Sequence, residues 1–476
     1  MQSAINKIFV FLGLAIVSAS CNKQLNILPT TQEVDGNIIS DLQGATTALN
    51  GVYYRFAASS PDNNGVPSTQ WVDVNEGFPS ELAGSYDYPY GGVDLNTHTY
   101  KPPSYELATM WSYGYNLVNA ANGFLKNIAP VKNLGDSTRS EMMAEAKFLR
   151  AFGNTYLLLY FAQYYDTTSQ YGIILRNEFV TTSNLNLPRS PVGQCYDSIL
   201  DDLHFAEANL PSLNTDNTGA NKWTAELLEA RLLINRQTPA DYANVIRLTN
   251  DIITNSPFTL EANTKDIFHS KGLSSNEVML GIQPYTSPAQ TYKWSQYLHY
   301  NDYILSDSGA AAFQGDPRQT WTYYMFTSPY GYGSFPAPIK YYPGDTLNIA
   351  PSIQDEYSYA FRLTEAYLLE AEAISASGGD PATARALLET VEGHAGITDF
   401  AAVDAASGPD LTLLIIREEM KNFIGEAGQD WYAVRRLPFA TVQQLIPTLV
   451  SKDLLILPIP QTEMQTNGQM KQNPSY

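Results

Sequence analysis

Cysteine is nearly absent from this chain: Cys21 and Cys195 are the only two in 476 residues. A disulfide-stapled fold is therefore excluded, and Cys195 reads as a small buried apolar residue. Basic residues are scarce as well, with 28 Lys and Arg against 48 Asp and Glu, a formal charge of −20. Nucleic-acid phosphates require a basic face, so that class of partner is excluded. No H-E-x-x-H, G-x-S-x-G, phosphate-binding loop or cysteine pair occurs, and the five histidines are scattered singly. No catalytic group, metal or cofactor is expected from such a pattern. No apolar run is long enough to span a bilayer, the best being the ten residues Ile8 to Val17.

That run belongs to an export signal. Lys7 supplies the positive start, and the small residues Ser18, Ala19 and Ser20 precede Cys21. Chains cut before such a cysteine resemble bacterial lipoproteins, in which the thiol is acylated. Residues 1–20 are thus read as a signal peptide and 21–40 as a lipidated, extended lead-in.

Helical periodicity governs much of the chain beyond residue 40. The stretch Glu141 to Tyr165 carries two apolar stripes, Leu149, Phe152, Tyr156, Leu159 and Phe148, Ala151, Thr155, Leu158, Ala162. A helix apolar on two sides must be packed on two sides, which places it inside an array. Matching segments occur at 41–56, 110–130, 194–210, 222–235 and 240–254, making three antiparallel pairs. A fourth pair is expected from Tyr359 to Ser377 and from Pro381 onward, with Asp380 as the cap. A further helix is expected at 411–424, then a tail with a short strand-like apolar run. The pairs approach the length of tetratricopeptide-type repeats. The expected fold is mainly α, a tetratricopeptide-like helical-repeat scaffold with a loop-rich binding subdomain. Its parts are an N-terminal helical region 41–255 with a long irregular loop 57–105, an aromatic-rich insertion 256–350, and a C-terminal region 351–476.

The two irregular regions hold the binding candidates. Sugar rings expose apolar C–H faces that flat aromatic rings cover, while their hydroxyls seek polar partners. Trp71 with Asp73, Tyr86 and Tyr88, and then Trp294, Tyr297 and Tyr303 fit that task, with Trp321 as a further candidate. Trp111, Trp431, Arg435 and Arg436 lie in helical blocks and read as structural.

Blocks along almost the whole chain resemble the SusD/RagB family of outer-membrane nutrient-binding lipoproteins. They are Cys21, MWSYGYNLVNAANGFLKNI at 110–128, EAKFLRAF at 145–152, GDPR at 315–318 and SYAFRLTEAYLLEAEA at 358–373. IREEMKNFIGEAGQDWYAVRR at 416–436 and the terminal PIPQTEM…NGQMKQNPSY complete the set. The resemblance implies four helical pairs carrying a ligand subdomain, anchored by lipid at Cys21 and exposed at the cell surface. It implies capture of an oligosaccharide and its delivery to a SusC-like TonB-dependent transporter, without catalysis. Two other readings are a peptide-binding lipoprotein of the same fold and a surface glycoside hydrolase. The latter needs carboxylates roughly 5–9 Å apart, a separation that sequence does not show.

Overall fold

The computed structural model describes residues 39–57, 71–91, 94–283, 292–328, 331, 333–342 and 354–476. The segment expected to be an export signal, Cys21 and the residues up to 38 lie outside the described residues. Nine helices of fourteen residues or more occur among the described residues. They are α1 (Leu42–Ala57), α2 (Tyr105–Ile128), α3 (Asp136–Phe161), α4 (Val192–Asn209) and α5 (Lys222–Arg236). α6 (Pro239–Asn255), α7 (Leu363–Ala376), α8 (Pro381–His394) and α9 (Gly408–Asn422) complete the set. Each of the first eight packs on the next, so the array runs α1 to α8. It passes directly from α6 to α7, and the residues between them leave and return without interrupting it. The mainly helical repeat architecture expected from periodicity is what the chain adopts. No helix among the described residues is long and apolar enough to cross a membrane.

Local signals set several boundaries. Asp41 caps α1 through the Gly44 amide at 2.8 Å, and Asp380 caps α8 through Ala382 and Thr383. α5 and α6 both open with capping boxes, at Asn221 and Thr238. Two expectations are corrected. Tyr359 begins no helix, because Ser358–Arg362 is a buried strand and α7 starts only at Leu363. The apolar tail forms no strand either: it runs extended over the end of α3, where the Leu457 amide bonds the Tyr160 carbonyl at 2.7 Å. That bond satisfies one of the carbonyls that a helix end leaves without a partner.

α3 is the central element, and every residue from Phe148 to Phe161 is buried. It can lie close to α2 because Gly114 has no side chain: a Cβ there would sit 2.5 Å from Leu157 Cγ. Polar groups on so buried a helix need partners. Arg150 donates twice to Asp202 of α4, at 2.7 and 2.8 Å, and once to Asn122 of α2, at 2.8 Å. Glu145 accepts from Tyr53 of α1 at 2.6 Å. The helix is therefore tied by hydrogen bonds to its neighbours on both sides.

Six short strands make three two-stranded antiparallel sheets: β1 (Tyr86–Asp87) with β3 (Ile304–Leu305), β2 (Val278–Ile282) with β6 (Ser358–Arg362), and β4 (Tyr323–Thr327) with β5 (Ser334–Pro338). β2 and β6 are wholly buried and root the insertion at the start of α7. β1 pairs Tyr86 with Leu305 and Asp87 with Ile304, joining the early loop to the insertion. That loop is not irregular throughout, since Val72–Leu82 is helical.

Truncating Arg150 leaves Asp202, 2% exposed, with Lys147 as its one remaining cationic partner among the described residues. Arg150→Ala should therefore lose about 1–3 kcal/mol of stability. Urea unfolding of the variant beside the parent checks this.

Candidate ligand-binding site

The helical segment Val72–Leu82 and the segment Tyr292–His299 lie against each other through a buried polar network. Glu76 and Lys293 pair at 2.8 Å with neither side chain exposed at all. Glu76 also accepts from Ser358 at 2.6 Å and Tyr297 at 3.2 Å. The Lys293 ammonium donates to the Tyr357 carbonyl at 2.7 Å and sits 3.6 Å over the Tyr341 ring. Burial raises the Glu76 carboxyl against the pull of Lys293, and burial lowers Lys293 against that of Glu76. Glu356 takes the backbone amides of Lys293 and Trp294 at 2.7 and 3.0 Å, fixing where the second segment starts. Burial pushes its carboxyl up to about 7.

Nearer the surface, Asp73 accepts the phenols of Tyr292 at 2.6 Å and Tyr303 at 2.8 Å. Burial pushes its carboxyl up to about 6, and those two hydrogen bonds oppose the rise. Tyr303 fits only because residue 77 is glycine: a Cβ there would lie 2.2 Å from its ring. Asn301 adopts φ +54°, a left-handed conformation that asparagine tolerates, and its side chain bonds back to the Tyr297 carbonyl at 3.0 Å.

Above this base lies a row of aromatic rings. Half-buried Trp294 stacks on His299, centroids 5.2 Å apart and planes at 24°. His299 meets Tyr300 edge-on at 4.6 Å. The Tyr90 hydroxyl donates to the Tyr300 carbonyl at 2.5 Å, and Tyr90 meets Tyr88 edge-on at 5.3 Å. Tyr300 is 54% exposed, Tyr90 41%, and Tyr105 at the start of α2 71%. Asp302, partly exposed with its carboxyl raised by burial, adds to the rise of Tyr88 and Tyr292. The result is a surface of flat rings on an acidic base, able to cover the C–H faces of a ligand.

Several of the residues expected at the site are elsewhere. Trp71 is wholly buried, edge-on to Phe56 at 5.0 Å and stacked on Phe152 at 5.9 Å, so it fills the space beside α1 and α3. Trp321 is buried against Phe268 at 6.0 Å. Tyr86, Tyr297 and Tyr303 are buried and pack on one another. These five rings support the surface instead of forming it. Tyr88, Asp73 and Trp294 do come together there. Tyr90, His299 and Tyr300, from the same tyrosine-rich stretches as Tyr86 and Trp294, join them, as does Tyr105, which no sequence signal singled out. Trp111, Trp431, Arg435 and Arg436 are buried, in keeping with their structural reading. Among the described residues no group of three or more His, Cys, Asp or Glu is arranged to hold a metal ion.

Two family models match this chain. One, described as starch-binding and associating with the outer membrane, matches residues 85–233, and the SusD family model matches 286–447. The chain belongs to the SusD/RagB family. SusD-like protein P38 of Formosa agariphila is 22% identical, over 80% of this chain and 82% of its own length. For another curated relative the match spans 37% of this chain and only 32% of that protein. A SusD superfamily structure from Parabacteroides distasonis has a TM-score of 0.75 at 18% identity, covering 92% of this chain and all of that one. A laminarin-binding SusD-like protein has a TM-score of 0.70 at 19% identity, again covering 92% and 100%. At these identities the structural likeness speaks for the fold.

Because the folded Asp73 titrates near 6, above its ordinary 3.8, its contribution to stability is complete below pH 4. It is lost as pH rises through 6, on the order of 1–3 kcal/mol. In Asp73→Asn that part of the decline should vanish. Unfolding free energies of both proteins at pH 4, 5, 6 and 7 test this.

Proposed function

We propose that this SusD/RagB protein captures a neutral oligosaccharide on the aromatic row Trp294, His299, Tyr300, Tyr90 and Tyr88. The observation carrying the proposal is that these rings stand at the surface while their base is locked by buried hydrogen bonds. The acidic groups near them, Asp73 and Asp302, repel anionic ligands. The laminarin-binding relative lends the same direction. The role is binding without catalysis, and the bound glycan passes to a SusC-like TonB-dependent transporter in the outer membrane. The protein is held there by lipid on Cys21 and faces outward. The signal peptide, the helical regions and the aromatic insertion divide the labour as 1–20, 41–255 with 351–476, and 256–350.

Electrophoresis through gels containing laminarin, starch or other neutral glucans should retard the chain without releasing reducing ends. Trp294→Ala and Tyr300→Ala should each weaken retention by about 1–3 kcal/mol of binding free energy, roughly five- to 150-fold. Retention by no glycan, with binding to a peptide panel instead, would transfer the site to peptides; released reducing ends would mean hydrolysis. For the anchor, Cys21→Ala should leave the outer-membrane fraction.

A further inference from the structure

A separate cavity of about 400 Å³ opens where α9 meets the bend Ala83–Ser85 and the short helix Asp307–Ala311. None of the surface rings lines it. Its apolar wall is aliphatic in large part, with Leu414, Met420 and Leu445 prominent, and three charged groups border it: Arg417, Lys421 and Glu392. The Lys421 ammonium is already engaged, at 2.8 Å by Glu418 and 3.1 Å by Asp316. Arg417 is exposed and enters no ion pair or hydrogen bond among the described residues. By contrast, the buried guanidiniums of Arg150, Arg231, Arg318, Arg362 and Arg436 are ion-paired.

We propose that this cavity is a second binding site, for a small amphipathic carboxylate whose apolar body lies on Leu414, Met420 and Leu445 and whose head pairs with Arg417. The volume falls in the range of small-molecule sites. Leu414, Met420, Ile424 and Leu445, with Phe313 the one aromatic ring in the lining among the described residues, suit an alkyl chain better than a sugar. A guanidinium offers a carboxylate two parallel hydrogen bonds, which fixes the end of the ligand that faces it. Glu392 tunes the site. Burial pushes its carboxyl up to about 7, Glu418 and Asp316 raise it further, and Lys421 and Arg318 oppose them. Near neutrality it is therefore partly protonated, and its repulsion of an incoming carboxylate grows only above that pH.

Octanoate is a suitable probe, titrated calorimetrically into the chain from residue 22, which retains every described element. One octanoate should bind per chain, about tenfold more weakly in Arg417→Ala. Ala312→Trp, at an exposed position on the cavity wall, should abolish binding by filling the space. Octanamide, equal in length but uncharged, should bind more weakly than octanoate. Glu392→Gln should tighten octanoate at pH 8 and change it little at pH 6. Circular dichroism confirms that each variant is folded, and laminarin retention should be untouched by Arg417→Ala. The proposal is overturned if octanoate gives no heat at millimolar concentration. It falls equally if Arg417→Ala and Ala312→Trp bind as the parent does, or if octanamide matches octanoate.

Discussion

The ammonium of Lys293 and the carboxylate of Glu76, both fully withdrawn from water, set where the surface rings stand. Removing two charges from water costs several kcal/mol per ion, and their mutual attraction repays it only if the remaining donors and acceptors are also satisfied. Here they are satisfied by Tyr297, Ser358, the Tyr357 carbonyl and the Tyr341 ring, which come from separate parts of the chain. The pair therefore ties the early helical segment, the 292–299 segment and the edge of β6 to one another. Once it forms, Lys293 is fixed in the interior and its neighbour Trp294 is left half-buried beside it. One buried bond thus turns an irregular region into a fixed surface.

The same logic runs through the blocks that carry the family resemblance. Arg318 of the GDPR block meets Glu418 of the IREEMK block at 2.5 Å, and Lys421 reaches back to Asp316. Arg436 joins Glu372 and Glu419, each at 2.6 Å. Arg150 of EAKFLRAF donates to Asn122 of the 110–128 block. Segments far apart in sequence are thus halves of one buried contact. Losing either half would strand a charge in the interior, which is more costly than never having buried the pair. A motif that looks modest alone is specific in combination for this reason.

That also explains what sequence could and could not disclose. The helices were legible because a 3.6-residue period is a local property, and Leu149, Phe152, Tyr156 and Leu159 record it directly. The strand Ser358–Arg362 was not, because five residues leading straight into a helix carry no period of their own. Among the loops, polar neighbours were the only available clue to an exposed ring, and around Trp71 they misled. Asn75 and Glu76 are themselves interior, Glu76 paired to Lys293 across more than two hundred residues of chain. Tyr300 and Tyr90 are brought together by the β1–β3 pairing, a contact of two residues from each strand that leaves no pattern in either. Burial in irregular segments is decided by such long-range contacts.

Charge separates the two sites of this acidic molecule by the ligand each can hold. At the aromatic row the acidic groups are Asp73, raised by burial to about 6, and Asp302, raised in the same direction, so an anion would meet repulsion from them. A neutral polyol instead finds acceptors already oriented, because Asp73 is held by two phenols and the rings are held by one another. Little side-chain freedom remains to be lost on binding, which is where fixed aromatic surfaces gain over mobile ones. Beside α9 the arrangement is inverted: an aliphatic wall, an unengaged guanidinium, and a carboxyl that is partly neutral at physiological pH. A ligand suited to one place is therefore rejected by the other. The Glu76–Lys293 pair that fixes the first contributes nothing to the walls of the second.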